Sequence, residues 1–346
     1  MLLGAAIWAL AIPAASPADE TTGLRRFRQT GIHMGVEFEV ELYTADDQQA
    51  TAAIRAAFAR IAALDRAMSD YDAASELSRL SETSTVPPGT TSLNPPATAR
   101  PIELSADLWR VLEYSQALSR QSDGAFDVTI GPLTKLWRRA RRQKELPSDE
   151  RLAEARGAVG HQFLKLDRVA HTAQLLRPNM RLDLGGVAKG LAADEALAEI
   201  KKAGISRALV RASGDIAVGD PPPGEAGWRI GIAPLDPDDP PQKFVQLANR
   251  AISTSGDARQ HLVVAGRRYS HIIDPRTGAG VTGQSSVSVI APRGMQADGL
   301  ATAVSVLGPE KGLALVAGIP DVELLIVYED ESGTLSETTS SGWKSE

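Results

Sequence analysis

The 346-residue sequence contains no cysteine. Disulfide bonds, thiolate catalysis, cysteine-based zinc sites and iron–sulfur clusters are therefore excluded, because each of them needs cysteine. The same absence excludes a lipid-modified N-terminal cysteine. Chemistry is left to carboxylates, hydroxyls and basic side chains, among them five histidines.

Excess positive charge is also lacking, since the formal net charge is −6 at pH 7. A nucleic-acid-binding protein would be expected to carry a basic surface, so no nucleic-acid partner is expected. The Gly-x-Ser-x-Gly motif is absent, which argues against a serine hydrolase. We find no internal repeat, and the length suits one large domain or two intimately packed subdomains.

The N-terminus is apolar from Leu2 to Ala15 and then turns polar. Because Ser16–Ala18 resembles a small-x-small cleavage site, residues 1–18 are predicted to be a signal peptide of a soluble exported or periplasmic protein. No Lys or Arg precedes the apolar run, so an uncleaved membrane-tethering N-terminus stays open, although roughly 14 apolar residues are short for a span. No later segment is expected to cross a bilayer.

Hydrophobic periodicity predicts an α+β (mixed α/β) fold. Residues 19–30 are expected to be a linker, 31–330 the folded region, and 331–346 a polar tail. The Pro-, Ser- and Thr-rich stretch 83–101 is expected to be a surface loop. Helices are predicted at 48–68, 105–120, 190–203, 295–307 and 309–317, and strands at 36–43, 207–218, 228–233, 244–253, 261–265, 268–273, 286–291 and 322–328.

Two stretches could form a phosphate and cation site. In DLGGVAKG, 183–190, paired glycines before a helix let a ligand approach the backbone, and Lys189 adds positive charge. In ADGLAT, 297–302, Asp298 and Thr302 share one helix face, a donor pair that favours a hard cation such as Mg²⁺. Taken alone, each stretch also fits a structural role, as a glycine-rich turn or as a helix with local backbone hydrogen bonds.

Other stretches are equally ambiguous in isolation. Phe126 and Asp127 could line a heteroaromatic pocket or belong to the core, and Tyr71 could stack on a ring or cover the core edge. In SHIIDPRTGAG, 270–280, His271 and three other polar side chains fall within seven positions, although a turn needs only Pro and Gly. The remaining histidines lie in no comparable cluster.

Taken together, eight stretches resemble the ApbE family of FAD:protein FMN transferases. The resemblance runs from about Met34 to Tyr328, and the shared order is a stronger signal than any single match. It implies an ApbE-like fold with two intimately packed subdomains over 31–330. The matching stretches are HMG, SDYDAASELSRL, GAFDVTIGPL, DLGGVAKG, SGDIAVG, TSGD, HIIDPRTG and ADGLAT.

The resemblance also implies an activity and a site. Family members transfer FMN from FAD to a Ser or Thr hydroxyl of a target flavoprotein and release AMP. By the resemblance, Asp298 and Thr302 bind Mg²⁺ with the backbone carbonyl of Gly186, and His271 activates the hydroxyl with Asp274 as an orienting partner. The positions that match FAD-holding residues are Met34, Tyr71, Ala125, Phe126, Asp127, Asp183, Lys189 and Ile272.

The chain departs from the common family pattern in two places. Val36 follows Met34-Gly35 where many members have threonine, and Ser213 stands where glycine is common. Two rival functions remain, namely a Mg²⁺-dependent FAD pyrophosphatase that uses water as the nucleophile and a non-catalytic periplasmic FAD-binding protein. The Asp298/Thr302 pair and His271 argue against pure binding, because storage needs no metal.

Overall fold

The protein's structure, a computed structural model, describes residues 14–15, 23–87, 99–236, 238–258, 260–329 and 333–346. Most of the predicted signal peptide, 1–18, and the central part of the predicted loop, 88–98, lie outside the described residues. The described helices are α1 (Asp47–Met68), α2 (Glu76–Glu82), α3 (Ala106–Gln121), α4 (Gly131–Gln143), α5 (Asp149–Gly157), α6 (Ala188–Lys202) and α7 (Gly294–Ala317). The described strands are β1 (Ala14–Ala15), β2 (Arg25–His33), β3 (Val36–Thr44), β4 (Ile102–Glu103), β5 (Leu164–Asp167), β6 (Thr172–Leu175), β7 (Ala208–Ala212), β8 (Asp215–Val218), β9 (Trp228–Gly231), β10 (Phe244–Leu247), β11 (Ala251–Gly256), β12 (His261–Val264), β13 (Arg267–Ser270), β14 (Ser285–Ala291), β15 (Glu323–Glu329) and β16 (Leu335–Thr339).

A nine-stranded sheet in the order β1-β2-β3-β7-β8-β11-β14-β15-β16 forms the centre of the fold. Every neighbouring pair in it is antiparallel. Alternate residues of a strand point to opposite faces, so Val210 packs into the core under the helices while Leu209 packs into a second core beneath β9 and β10. A third, smaller core joins α4 to the β12–β13 hairpin and includes Trp137 and Ile273.

The mixed helix and strand content confirms the predicted fold class, and several elements lie where periodicity placed them. The predicted β12–β13 hairpin forms, with Ala265 and Gly266 both at positive φ. Strands predicted at 207–218 and 244–253 are each interrupted, because Ser213 and Asn249 adopt left-handed backbone conformations that end a strand. The two helices predicted at 295–307 and 309–317 form one run, α7, with non-helical backbone at Gly308. The division into two subdomains stays a prediction.

The two ends of the folded region differ from expectation. Arg25–His33 pairs along its whole length with β3, so most of the predicted 19–30 linker that is described belongs to the sheet. Leu335–Thr339 pairs with β15 within the predicted 331–346 tail. Neither strand shows a strong alternation of apolar residues in the sequence, and in the structure nearly all of their side chains are exposed or half-buried. The strand predicted at 268–273 also ends earlier, at Ser270.

The expectation that no later segment could cross a membrane is wrong by length and composition. Helix α7 has 24 residues and a mean hydropathy of 1.3 over its most apolar window. Among the described helices, it is therefore long and apolar enough to span a membrane by length and composition alone. Its apolar side chains pack into the main core, where Leu300, Ala301 and Val304 are buried. Burial against α6 and the sheet explains why a core helix is this apolar.

Helices α6 and α7 cross at two glycines. A Cβ at Gly190 would lie 2.1 Å from the carbonyl oxygen of Gly294, a separation that only glycine permits. Asp194 of α6 accepts hydrogen bonds from the backbone N–H groups of Gly294 and Met295, at 2.7 and 3.0 Å, and so satisfies the start of α7. This crossing brings Asp298 of α7 against the start of α6.

Replacing Gly190 by Ala should lower the free energy of unfolding, because the added Cβ would force α6 away from α7. Overpacking of this kind costs about 1–3 kcal/mol. Urea denaturation followed by circular dichroism measures the change. Gly157→Ala is the matched control, since nothing lies within 4 Å of a Cβ there. A Gly190→Ala protein as stable as wild type would contradict the close crossing.

Candidate active site

The predicted metal ligands, Gly186, Asp298 and Thr302, lie at one end of the candidate site. Thr302 lies one helical turn after Asp298, and a Cβ at Gly186 would lie only 2.7 Å from Thr302 Oγ1. Asp298 is 2% exposed, and its Oδ2 accepts a hydrogen bond from the Gly190 N–H at 3.1 Å. The structure therefore brings Gly186, Asp298 and Thr302 together, and their role as metal ligands stays a prediction.

The chemistry of these donors fits Mg²⁺. They offer a carboxylate, a hydroxyl and a backbone carbonyl, all oxygen ligands of the kind that Mg²⁺ prefers. Within the described ranges, no group of three or more His, Cys, Asp or Glu side chains is arranged to hold a metal. Mg²⁺ is commonly bound by one or two carboxylates together with water and substrate phosphates.

Lys189 lies beside this set and links it to the sheet. Its Nζ is 3.1 Å from Asp215 Oδ2 on β8, 3.6 Å from Asp298 Oδ2 on α7, and 3.1 Å from the Gly185 carbonyl oxygen. Burial lowers the pKa of Lys189, but the two carboxylates outweigh it and leave that pKa raised. Burial and the charge of Asp215 raise the pKa of Asp298 to about 7, a shift that Lys189 or a bound cation opposes.

Asp183 and Tyr71 form a second wall with Arg138 between them. Asp183 accepts hydrogen bonds from the Gly185 N–H at 2.8 Å and from Arg138 at 3.1 Å. Arg138 also pairs with Asp70, and its guanidinium lies 4.5 Å from the centre of the Tyr71 ring. Tyr71 is 79% exposed, so its ring remains open to a ligand.

The segment at Ala125, Phe126 and Asp127 connects this wall to the 270–280 loop, but its side chains point into the protein. All three residues are buried. The Asp127 carboxylate accepts hydrogen bonds from the N–H and hydroxyl of Thr129, both at 2.8 Å, and from the His161 N–H at 2.7 Å. A ligand would therefore meet the backbone of this segment, because the Asp127 carboxylate is already engaged.

His271 has the geometry of a base. Its Nδ1 lies 3.1 Å from the Gln260 carbonyl oxygen. A carbonyl can only accept, so Nδ1 carries the proton and Nε2 is left unprotonated. Burial, followed by the positive charge of Arg141, lowers the pKa of His271 below its ordinary value of 6.5. The ring is consequently neutral at pH 7.

The predicted pairing of Asp274 with His271 is contradicted. Both Asp274 carboxylate oxygens are engaged by Arg276, through its backbone N–H at 2.9 Å and its guanidinium at 2.8 and 2.9 Å. The Asp-Pro-Arg-Thr-Gly turn folds the carboxylate back on its own chain, because aspartate readily bonds backbone two residues ahead. Asp274 thus shapes the turn. Ile272, predicted in a strand, is half-buried just after β13 and donates its N–H to Ser270.

Helix α4 holds the 270–280 loop in place. Trp137 Nε1 donates a hydrogen bond to the Gly278 carbonyl oxygen at 2.8 Å, and the rings of Trp137 and Tyr269 lie 5.6 Å apart. Arg138, the next residue, faces the Tyr71 wall. Met34 lies in the β2–β3 turn, where it has φ +49° and donates its N–H to Asp65 at 2.9 Å, and its role in holding FAD stays a prediction.

Two site residues are absent from the sequence predictions. Asp215 lies in the SGDIAVG stretch, so the resemblance of that stretch to the family is the signal that could have identified it. Arg138 lies in α4 and pairs with carboxylates distant in sequence, so no local pattern could identify it. Ser213, the noted departure, has φ +58°, which explains why glycine suits that position.

Comparison with known proteins identifies the family. The chain matches the model of the ApbE family over residues 34–326. The chain belongs to the ApbE family. It is 32% identical to the FAD:protein FMN transferase of Klebsiella pneumoniae over 323 residues, which are 92% of this chain and 87% of that relative. It is 31% identical to the Haemophilus influenzae protein of the same name, covering 90% of this chain and 89% of the relative.

Solved ApbE structures share the fold. The flavin transferase ApbE from Vibrio cholerae has a TM-score of 0.77 and 28% identity, covering 92% of this chain and 98% of its own. The apo form of Pseudomonas stutzeri flavinyl transferase ApbE has a TM-score of 0.75 and 30% identity, covering 91% and 94%. The predicted ApbE-like fold is confirmed.

Replacing Lys189 by Met should destabilise this ApbE protein, because the buried Asp215 and Asp298 carboxylates would lose their shared cation. Removing one partner of a buried pair costs about 3–5 kcal/mol. The lysine side chain is 24% exposed, so we expect the free energy of unfolding, measured by urea denaturation, to fall by about 2 kcal/mol. Lys202→Met is the control, since that side chain is 71% exposed. Equal losses in both variants would argue against a special role for Lys189.

Proposed function

We propose that this chain is a Mg²⁺-dependent transferase that moves FMN from FAD to a Ser or Thr hydroxyl of an acceptor flavoprotein and releases AMP. One observation carries the proposal: helix α4 links the glycine turn before α6 to the loop that contains His271, because Arg138 donates to Asp183 at 3.1 Å and Trp137 donates to the Gly278 carbonyl oxygen at 2.8 Å. The proposed site thus combines the His271 base with Lys189 and the oxygen ligands that Lys189 contacts. The names and coverage of the relatives support the same activity.

Each of the proposed site residues has a separate role in phosphoryl transfer. The acceptor hydroxyl oxygen forms a bond to the phosphorus of the FMN half, and His271 Nε2 takes its proton. The phosphoanhydride bond to AMP breaks, and AMP leaves with that electron pair. Asp298, Thr302 and the Gly186 carbonyl would hold Mg²⁺, which when bound neutralises charge on the phosphoryl oxygens. Lys189 contributes a fixed positive charge beside them.

FAD would be held along the two walls described above. The exposed Tyr71 ring offers a surface for stacking, and Asp183 and Lys189 flank the glycine turn at the start of α6. We also propose that the reaction takes place outside the cytoplasm, on the basis of the apolar stretch from Leu2 to Ala15. Mass spectrometry of the N-terminus after secretion would check that location.

The deciding experiment combines the protein, FAD, Mg²⁺ and a candidate acceptor domain. Transfer predicts an acceptor whose mass rises by FMN minus water, with an equal amount of AMP. AMP and free FMN without acceptor labelling would instead support the pyrophosphatase. Bound FAD that yields neither product would support a flavin-binding protein and overturn the transferase proposal.

Asp298→Ala should abolish Mg²⁺-dependent turnover in this assay, because it removes the only carboxylate of the ligand set. Calorimetric titration with Mg²⁺ should show the accompanying loss of metal binding. Glu310→Ala serves as the control, since Glu310 is an exposed carboxylate on the same helix. Turnover at the wild-type rate in Asp298→Ala would refute the metal assignment.

His271→Ala should lower kcat by about 10²–10⁴, the usual contribution of a general base, with little change in FAD affinity. In the wild type, kcat/KM for FAD, which reports the free enzyme, should be flat near pH 7 and fall only below pH 6.5, because the pKa of His271 is lowered from that value in the free enzyme. His171→Asn is the control, since asparagine tolerates the positive φ of +49° there. An acid limb above pH 6.5 would contradict the assignment.

A further inference from the structure

Helix α4 is densely basic within an acidic protein. Its sequence, GPLTKLWRRARRQ, contains five basic residues and no acidic residue. Arg138 is accounted for by Asp70 and Asp183. Arg141, one turn later, is half-buried, yet neither a hydrogen bond nor an ion pair engages it in the described part of the chain.

The direction of Arg141 follows from helix geometry. At 100° per residue, position 141 projects between positions 137 and 138, one turn further along. Trp137 faces the Gly278 loop and Arg138 faces the Tyr71 wall. Arg141 therefore points between the 270–280 loop and the wall formed by Tyr71 and Asp183, a space that we call the cleft. Its electrostatic effects agree, since its charge acts on His271 on one side and it senses Tyr71 on the other.

Six carboxylates near this cleft are committed to ion pairs with other cations, namely Arg138, Lys189, Arg268 and Arg276. Arg141 itself forms no ion pair with a carboxylate in the described part of the chain. The groups that act on Arg141 are instead Arg138, which repels it, and Tyr71, and burial together with Arg138 lowers its pKa. The committed carboxylates are Asp70, Asp183, Asp215, Asp257, Asp274 and Asp298.

A partly buried guanidinium without a counter-ion loses hydration and gains nothing in return. An anionic ligand would restore the balance, and a guanidinium fork matches phosphate oxygens well. We propose that Arg141 is a phosphate-binding residue of this site and contacts the pyrophosphate of FAD on the side of the cleft opposite Lys189. The inference rests on the proposed function in taking FAD as the ligand.

Calorimetric titration of the full chain with FAD and with riboflavin, in EDTA, tests this directly and needs neither an acceptor nor turnover. Arg141→Gln should weaken FAD binding about tenfold, the scale of one charged hydrogen bond. Riboflavin, which has no phosphate, should bind within twofold of wild type. Arg141→Lys should recover part of the FAD affinity, and Arg142→Gln, an exposed neighbour, is the matched control.

The outcomes separate this inference from the proposed function. Unchanged FAD affinity in Arg141→Gln, or an equal loss for riboflavin and FAD, would overturn the role of Arg141 while leaving transfer by the wild type intact. Failure of the wild type to label any acceptor, together with selective loss of FAD affinity in Arg141→Gln, would overturn the transferase and retain the phosphate contact. A thermal melt of each variant shows that the fold is preserved.

Discussion

Three separate elements of the fold meet at the charged side chain of Lys189. Asp215 comes from β8, Asp298 from α7, and the lysine itself from the first turn of α6. Two carboxylates this deeply buried would each cost several kcal/mol without a cation. The three elements must therefore dock in one register, and the glycine crossing of α6 and α7 is what permits that approach. The same docking sets Asp298 against Gly190 and Thr302 against Gly186, so the packing of the helices also assembles the proposed metal ligands.

Helix α4 repeats this arrangement on the other side of the cleft. Arg138 joins Asp70 to Asp183, and Trp137 fastens the loop that presents His271. On each side of the cleft, one cation (Lys189 or Arg138) thus pairs with two carboxylates that lie far apart in the sequence. Arg138 and Lys189 are each shared by two carboxylates, whereas Arg141 is half-buried and forms no ion pair among the described residues. An anionic ligand would supply the counter-charge that Arg141 lacks.

Residue spacing predicted which side chains lie together wherever their positions follow from local geometry. Asp298 and Thr302 share a helix face because of helical periodicity, and the structure confirms it. Asp274 and His271 are three residues apart in a turn, where nearness in sequence does not fix direction, and the carboxylate turned to Arg276 instead. Arg138 could not be predicted, since its partners are set by how distant elements pack. Phe126 and Asp127 were open to two interpretations in the sequence, as pocket lining or as core, and both side chains are buried in the structure.

The environment of His271 couples substrate binding to basicity. Burial and the charges of Arg141 and Lys189 lower its pKa, so the free imidazole is neutral but only weakly basic. Under the proposed function, the anionic pyrophosphate of FAD enters beside the same two cations and offsets their charge. The pKa of His271 then rises, and Nε2 becomes a stronger base once the substrate is in place. The fixed Nδ1–H bond to Gln260 keeps Nε2 as the accepting atom throughout this change.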